Sequence, residues 1–226
     1  MQKTEIIPAI LAKDLQELET KLALLKEACS LLETSDKPKV VQIDICNNDF
    51  FENFDFDILK KYSDTFDFEL DLMNLDIDKI IERLNDLSCS EIKRLIFHYA
   101  DWGEKFSILE FDNSFQEIAL AVLPALDLEE IKPYLEKINF IQFMGLNSVG
   151  VQGGVFNPAV IQKIADFRKT NPEMLISVDG GVSLENALAL INAGASRLVS
   201  GSAIFGQNNS PQEILDNIKK FNNIEK

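Results

Sequence analysis

The stretch from Met174 to Phe205, MLISVDGGVSLENALALINAGASRLVSGSAIF, decides the fold. Met174 to Val178 is a short, largely apolar run that reads as a strand. Asp179-Gly180-Gly181 breaks it. Leu184 to Ala193 then carries helical spacing and is closed by Gly194, the residue type that most easily takes the left-handed turn after a helix. Arg197 to Ser200 is the next strand, broken by Gly201-Ser202 ahead of Ala203-Ile204-Phe205. Strand, helix and strand at this spacing form one unit of a parallel sheet, because parallel neighbours need a crossover between them.

The same order extends outward in both directions. Upstream, Asn139 to Met144 is a strand and Pro158 to Lys169 a helix with Pro in its first turn, where the missing N–H costs nothing. Ile118 to Leu123 is a strand and Leu128 to Lys137 a helix. The first half reads as strands over Glu5–Leu11, Lys39–Ile45, Phe66–Leu72 and Arg94–His98. Helical spacing follows them over Leu15–Leu32, Phe56–Tyr62, Ile77–Leu87 and, more weakly, around Lys105. Ile214 to Phe221 is the last helix. Eight strands alternating with helices predict an α/β fold. In 226 residues they predict a single closed (β/α)8 barrel over residues 1–226, with its active site at the C-terminal ends of the strands.

Composition narrows the function. The net charge of −15, from 37 acidic against 22 basic residues, makes nucleic acid and anionic membrane poor partners. No apolar run is long enough to span a bilayer, and Met1 to Ile10 lacks the pattern of a signal peptide. Cys29, Cys46 and Cys89 are odd in number and widely spaced, which argues against a disulfide framework or a zinc ribbon and fits a reducing cytoplasm.

Several residues stand where a barrel keeps its chemistry. Asp44 and Asp179 end the second and seventh strands after apolar neighbours, where a carboxylate needs a task or a partner. Asp71 sits similarly on the third strand, and His98, the only histidine, on the fourth. Gly180-Gly181 and Gly201-Ser202 end adjacent strands ahead of helices, so their backbone N–H groups can approach an anion closely. That would let an acidic protein hold a phosphate without lysine or arginine. The run Gly145 to Gly154 is long and glycine-rich, as a mobile lid would be.

Together these residues resemble the ribulose-phosphate 3-epimerase family. Ile7-Pro8-Ala9-Ile10-Leu11 resembles its P-S-I-L strand, Val41 to Ile45 its H-x-D-x-M-D-G strand, Asp71-Leu72-Met73 its H-L-M and Phe97-His98 its V-H-x-E. Met144 and the run through Gly153 and Gly154 resemble its lid, M-S-V-x-P-G-F-G-G-Q. Val178 to Val182 and Gly201 to Gly206 match the family almost letter for letter. The resemblance implies a ribulose-phosphate-binding TIM barrel that epimerises a phosphorylated sugar, with Asp44 and Asp179 as the acid/base pair. It implies substrate contacts from Ala9, Met144, Gly153, Gly154, Gly180, Gly181, Gly201 and Ser202. In the family both aspartates also bind a divalent metal, alongside two histidines.

Here the chain departs from the family. Gln42 and Asp71 stand in place of the two histidines, Ala9 in place of serine, Asn47-Asn48 in place of Asp-Gly and Ser148-Val149 in place of Pro-Gly. The family's ligands carry −2, whereas Gln42, Asp44, Asp71 and Asp179 would carry −3. Three close carboxylates need a cation or a shared proton. All-oxygen ligands favour Mg2+ or Mn2+ over Zn2+, and a site without metal, with Asp71 turned to a neighbour, is the other outcome. Two further functions follow from the departures. One is a non-catalytic sugar-phosphate-binding paralogue. The other is a lyase or synthase on a related phosphate barrel, which the lack of an Asp-x-Lys-x-x-Asp motif disfavours. A closed homo-oligomer is compatible with any of these.

Overall fold

The computed structural model describes residues 4–76, 80, 83, 90–102, 115–150 and 154–224. The helices expected over Ile77–Leu87 and around Lys105 fall largely outside these, as do Gly153 and Cys89. Eight parallel strands form a closed barrel in chain order, with β1 hydrogen-bonded to β8. They are β1 Glu5–Leu11, β2 Val40–Ile45, β3 Asp67–Leu72, β4 Ile92–His98, β5 Glu117–Val122, β6 Phe140–Met144, β7 Leu175–Asp179 and β8 Arg197–Ser200. The described helices are α1 Leu15–Ser30, α2 Asn48–Glu52, α3 Asp57–Lys60, α4 Tyr99–Trp102, α5 Ala159–Thr170, α6 Leu184–Ala193, α7 Ser202–Phe205 and α8 Pro211–Asn222. None of them is long and apolar enough to cross a membrane.

The strands match the sequence reading because each is a short run whose residues are mostly buried on both faces, as a helix-covered parallel sheet requires. The short helices α2 and α4 were not expected, and one expected helix differs. Leu128–Lys137 is not an α-helix but turns followed by a 3-10 helix over Lys132–Lys137. Pro133 explains this, since it has no N–H for the carbonyl four residues back and its ring crowds that carbonyl. The turn after β7 is fastened from behind. Asn186 in α6 accepts from the Ser183 N–H at 2.9 Å and donates to the Gly181 carbonyl at 2.9 Å.

Alternation along each strand sends every second residue into the barrel. At the N-terminal end, Arg94 and Arg197 are shared among three carboxylates. Arg94 donates to Glu69 and to Glu5, each at 3.1 Å, and Arg197 donates to Glu5 and Glu117, also at 3.1 Å. Above them lie small apolar clusters, among them Ile96, Ala119 and Phe140, and Ile7, Val40 and Val199. The Arg197 guanidinium stacks 4.5 Å from the Phe140 ring centroid and joins the two levels.

Glu69 is fully buried, and its Oε1 accepts no hydrogen bond. Burial pushes its carboxyl up to about 7 from an ordinary 4.5, against the attraction of Arg94. The folded state therefore holds the Glu69 proton more tightly than the unfolded chain. The resulting stability is present below 4.5 and is lost as pH rises to about 7. Glu69→Gln is expected to flatten the fall in unfolding free energy across that window, measured by urea titration. An unchanged slope would mean that Glu69 stays ionised throughout.

Candidate active site

Strand ends bring the polar residues together. Gln42 and Asp44 are two apart on β2 and share one face, and Asp71 is the register partner of Asp44 on β3. Asp179 ends β7 beside Met144 of β6. One carboxylate oxygen from each of Asp44, Asp71 and Asp179 lies within 4.8 Å of the others. Asp71 is fully buried, whereas Asp44 and Asp179 keep part of their surface on the barrel mouth.

Gln42 is the hub of this cluster. Its Nε2 donates to Asp44 Oδ1 at 2.7 Å and Asp179 Oδ2 at 2.8 Å, and lies 3.5 Å from Asp71 Oδ2. Asp71 is held from behind as well. Its Oδ1 meets His98 Nε2 at 2.6 Å, and its Oδ2 accepts from Gln142 Nε2 at 3.0 Å. Gln142 is oriented in turn, because its Oε1 accepts from Ser177 Oγ at 3.1 Å. Asp71 is thus both a member of the acidic cluster and the partner of His98, two placements that the sequence reading set against each other.

The charges follow this geometry. Burial first, then the neighbouring Asp179 and Asp71, raise the Asp44 carboxyl well above the ordinary carboxylate range. Burial and the charge of Asp71 push Asp179 up to about 7, against hydrogen bonds from Gln42 and the Gly180 backbone. Burial disfavours a charged His98, but Asp71 overrides it and the imidazole is raised above its ordinary 6.5. The three carboxylates could hold a hard cation. Oxygens bound to a Ca2+-sized ion can lie up to about 5 Å apart, which takes in the 4.8 Å spread, whereas the ~2.1 Å bonds of Mg2+ would require them to close to about 4.2 Å.

Ala9, Met144, Gly180, Gly181, Gly201 and Ser202 line the mouth above the carboxylates, in a small cleft partly open to solvent. Gly180 has φ +95° and Gly181 φ +68°, a backbone region that other residues enter at a cost. A Cβ on Gly180 would also stand 2.9 Å from Leu146 Cγ. The bare backbone of this glycine therefore shapes the turn beneath Leu146 at the mouth. Gly154 packs under Leu146 beside the same turn. His98 does not line this cavity but a neighbouring one, with Asn74, Asp101 and Asn147. Cys46 turns toward Gly150, not into the acidic cluster.

The sequence reading missed Gln142, Ser177 and Leu146. The first two carried a signal: each is a lone polar residue in an otherwise apolar strand, FIQFM and LISVD, at a position that alternation sends inward. Leu146 carried none, since its role depends on the glycines it covers.

Comparison with known proteins agrees with this geometry. The chain is 26% identical over 228 aligned residues to the ribulose-phosphate 3-epimerase of Schizosaccharomyces pombe, covering 97% of this chain and 94% of that one. It is 28% identical to the ribulose-phosphate 3-epimerase of Serratia marcescens, covering 92% and 98%. Among solved structures, tryptophan synthase from Pyrococcus furiosus aligns with a TM-score of 0.71 at 16% identity, over 98% of this chain and 99% of that one, a likeness of fold. The model of the ribulose-phosphate 3 epimerase family matches residues 5–205, the whole barrel from β1 to α7, and the chain therefore belongs to that family.

Proposed function

We propose that the protein interconverts ribulose 5-phosphate and xylulose 5-phosphate by moving the proton at C3 from one face of the sugar to the other. The support for this is the placement of Asp44 and Asp179, two raised carboxyls of the barrel mouth that share one Gln42 nitrogen at 2.7 and 2.8 Å. Near neutral pH such a pair holds one proton between two sites. The ionised member takes the C3 proton and leaves an enediolate. The protonated member gives its proton to C3 from the opposite side, and the pair ends with its roles exchanged.

Asp44, Asp71 and Asp179, with the Gln42 side chain, would hold the cation. A divalent ion there would place positive charge beside the enediolate oxygens, which no lysine or arginine of β2, β3 or β7 supplies. The oxygen donors favour Mg2+ or Mn2+. The short apolar wall of Leu11, Met73, Met144 and Leu146 excludes water from the carbon being deprotonated. The phosphate would lie against the backbone of Gly181, Gly201 and Ser202, where amides supply the donors.

The direct test is interconversion of the two pentose phosphates, followed with and without Mg2+ or Mn2+ and in chelator. Activity restored by either ion is expected. Binding of ribulose 5-phosphate without turnover under every condition would point instead to a non-catalytic paralogue. Gly201→Val is expected to weaken inorganic phosphate binding by about tenfold or more, because its branched side chain would fill the cradle. Unchanged phosphate affinity by calorimetry would place the cradle elsewhere.

A further inference from the structure

Gln142 and Gln42 lie in the same acidic interior but are held differently. Gln142 has both ends of its amide satisfied, donating to Asp71 and accepting from Ser177. Turning it over would lose the bond to Asp71 and set its oxygen against that carboxylate. Gln42 has its Nε2 among three carboxylates, while its Oε1 is buried and accepts no hydrogen bond. The side chain is fully buried.

From this contrast we infer that the Gln42 amide is a two-way element. It presents its NH2 to Asp44, Asp71 and Asp179 when no cation lies among them, and turns its carbonyl oxygen inward as a fourth ligand when one does. The inference rests on the cation site proposed above and concerns Gln42 within it.

Three features carry it. A half-turn about the last side-chain torsion exchanges the amide oxygen and nitrogen with almost no change of shape, and that torsion is soft. Second, the outer end of the amide has no partner among the described residues. The outer end is left unsatisfied in either orientation, so it sets little preference between them. What lies among the carboxylates then decides. Without a cation, an inward oxygen would face three acidic side chains, whereas the NH2 offers two hydrogens to them. With a cation, an inward NH2 would be repelled and has no lone pair to give, whereas the oxygen completes an all-oxygen set. Third, a histidine at this position would need a partner for its second ring nitrogen to hold its tautomer. Gln42 needs none, and so can serve both states.

The test uses the full-length protein and readouts other than turnover. The Gln42 side-chain amide resonances, assigned by their loss in Gln42→Glu, would be followed by NMR during titration with Mg2+. Binding of Mn2+ alone would be measured by EPR for the native chain, Gln42→Met and Gln42→Glu. The expected result is a Gln42 NH2 shifted downfield by its carboxylate partners in chelator, moving upfield at saturating Mg2+. Gln42→Met should bind Mn2+ about tenfold more weakly and Gln42→Glu about tenfold more tightly. Mn2+ affinity unchanged in Gln42→Met, amide resonances that do not move at saturating Mg2+, or no Mn2+ bound at millimolar concentration would each overturn the inference. Should Gln42→Met fail to fold, the NMR titration and Gln42→Glu still decide. A chain that shows these effects but does not epimerise pentose phosphates would sink the proposed activity and leave this inference standing.

Discussion

Asp44→Asn and Asp179→Asn are each expected to lower epimerisation by about 10^3-fold or more, because each would remove one of the two groups between which the proposed mechanism passes the proton. Neither neighbour can take over. Both Asp71 oxygens are engaged by His98 and Gln142, and Gln42 is an amide. Isotope exchange separates the roles. In D2O, the variant that keeps one working carboxylate should still exchange the C3 hydrogen of one epimer slowly, without forming the other. Epimerisation at near-native rate in either variant would remove that residue from the acid/base pair.

The change at Asp179 should also stabilise the protein once chelator has removed any cation. Asp179 is raised from 3.8 to about 7, so the folded state binds its proton more tightly than the unfolded state. The stability it contributes is present below 3.8 and is lost as pH rises to about 7. An uncharged amide side chain at this position would escape that loss. Asp179→Asn is therefore expected to gain on the order of 1 kcal/mol over the native chain above neutral pH. A loss of activity together with a gain in stability would be the signature of a functional carboxylate held against its own solvation. Equal stability at high pH would mean that Asp179 is ionised at little cost.

Asp71→Asn is expected to lower stability by about 3–5 kcal/mol, the usual result of removing one partner of a buried ion pair. His98 is 1% exposed and its ring nitrogen lies 2.6 Å from Asp71. The sign follows from the imidazole. Its folded value lies above the ordinary 6.5, so its contribution is complete below 6.5 and fades as pH rises through the folded value. The destabilisation should therefore be largest in acid, read by urea titration at several pH values. The double variant Asp71→Asn with His98→Gln should lose less than the sum of the single changes. Additive losses would mean that the two side chains are not coupled.

This pair also bears on any attempt to restore the family's metal ligands. Gln42→His alone replaces the two-way amide, but Asp71→His would set a second imidazole against His98 and leave a buried imidazolium without its carboxylate. Histidine in both positions is expected to give tight transition-metal binding only when His98 is changed as well.

The order of strands and helices is legible along the chain because it depends on local spacing. In the Met174–Phe205 unit the turn, the helix and both strands lie within a residue of where that spacing predicts them. The exception is Leu128–Lys137, whose apolar spacing predicts a helix that the single Pro133 prevents. The convergence of Asp44, Asp71 and Asp179 could be expected once each was placed at a strand end of a closed barrel. The charge count also implied that at least one of them would be raised.

What the sequence could not contain is the set of partners each polar group finds. Gln42 is separated from Asp179 by 137 positions, and Gln142 from Asp71 by 71. No local pattern links them. Barrel closure sets the strand register, and the register decides which oxygen meets which nitrogen. By its residue types the sequence determined the barrel, the acidic mouth and the loss of two histidines. Only the tertiary structure decided that Asp71 is locked by His98 and Gln142 while Gln42 is left with one unsatisfied end. Hydrogen bonds act over about 3 Å, and only the folded chain brings such distant residues that close.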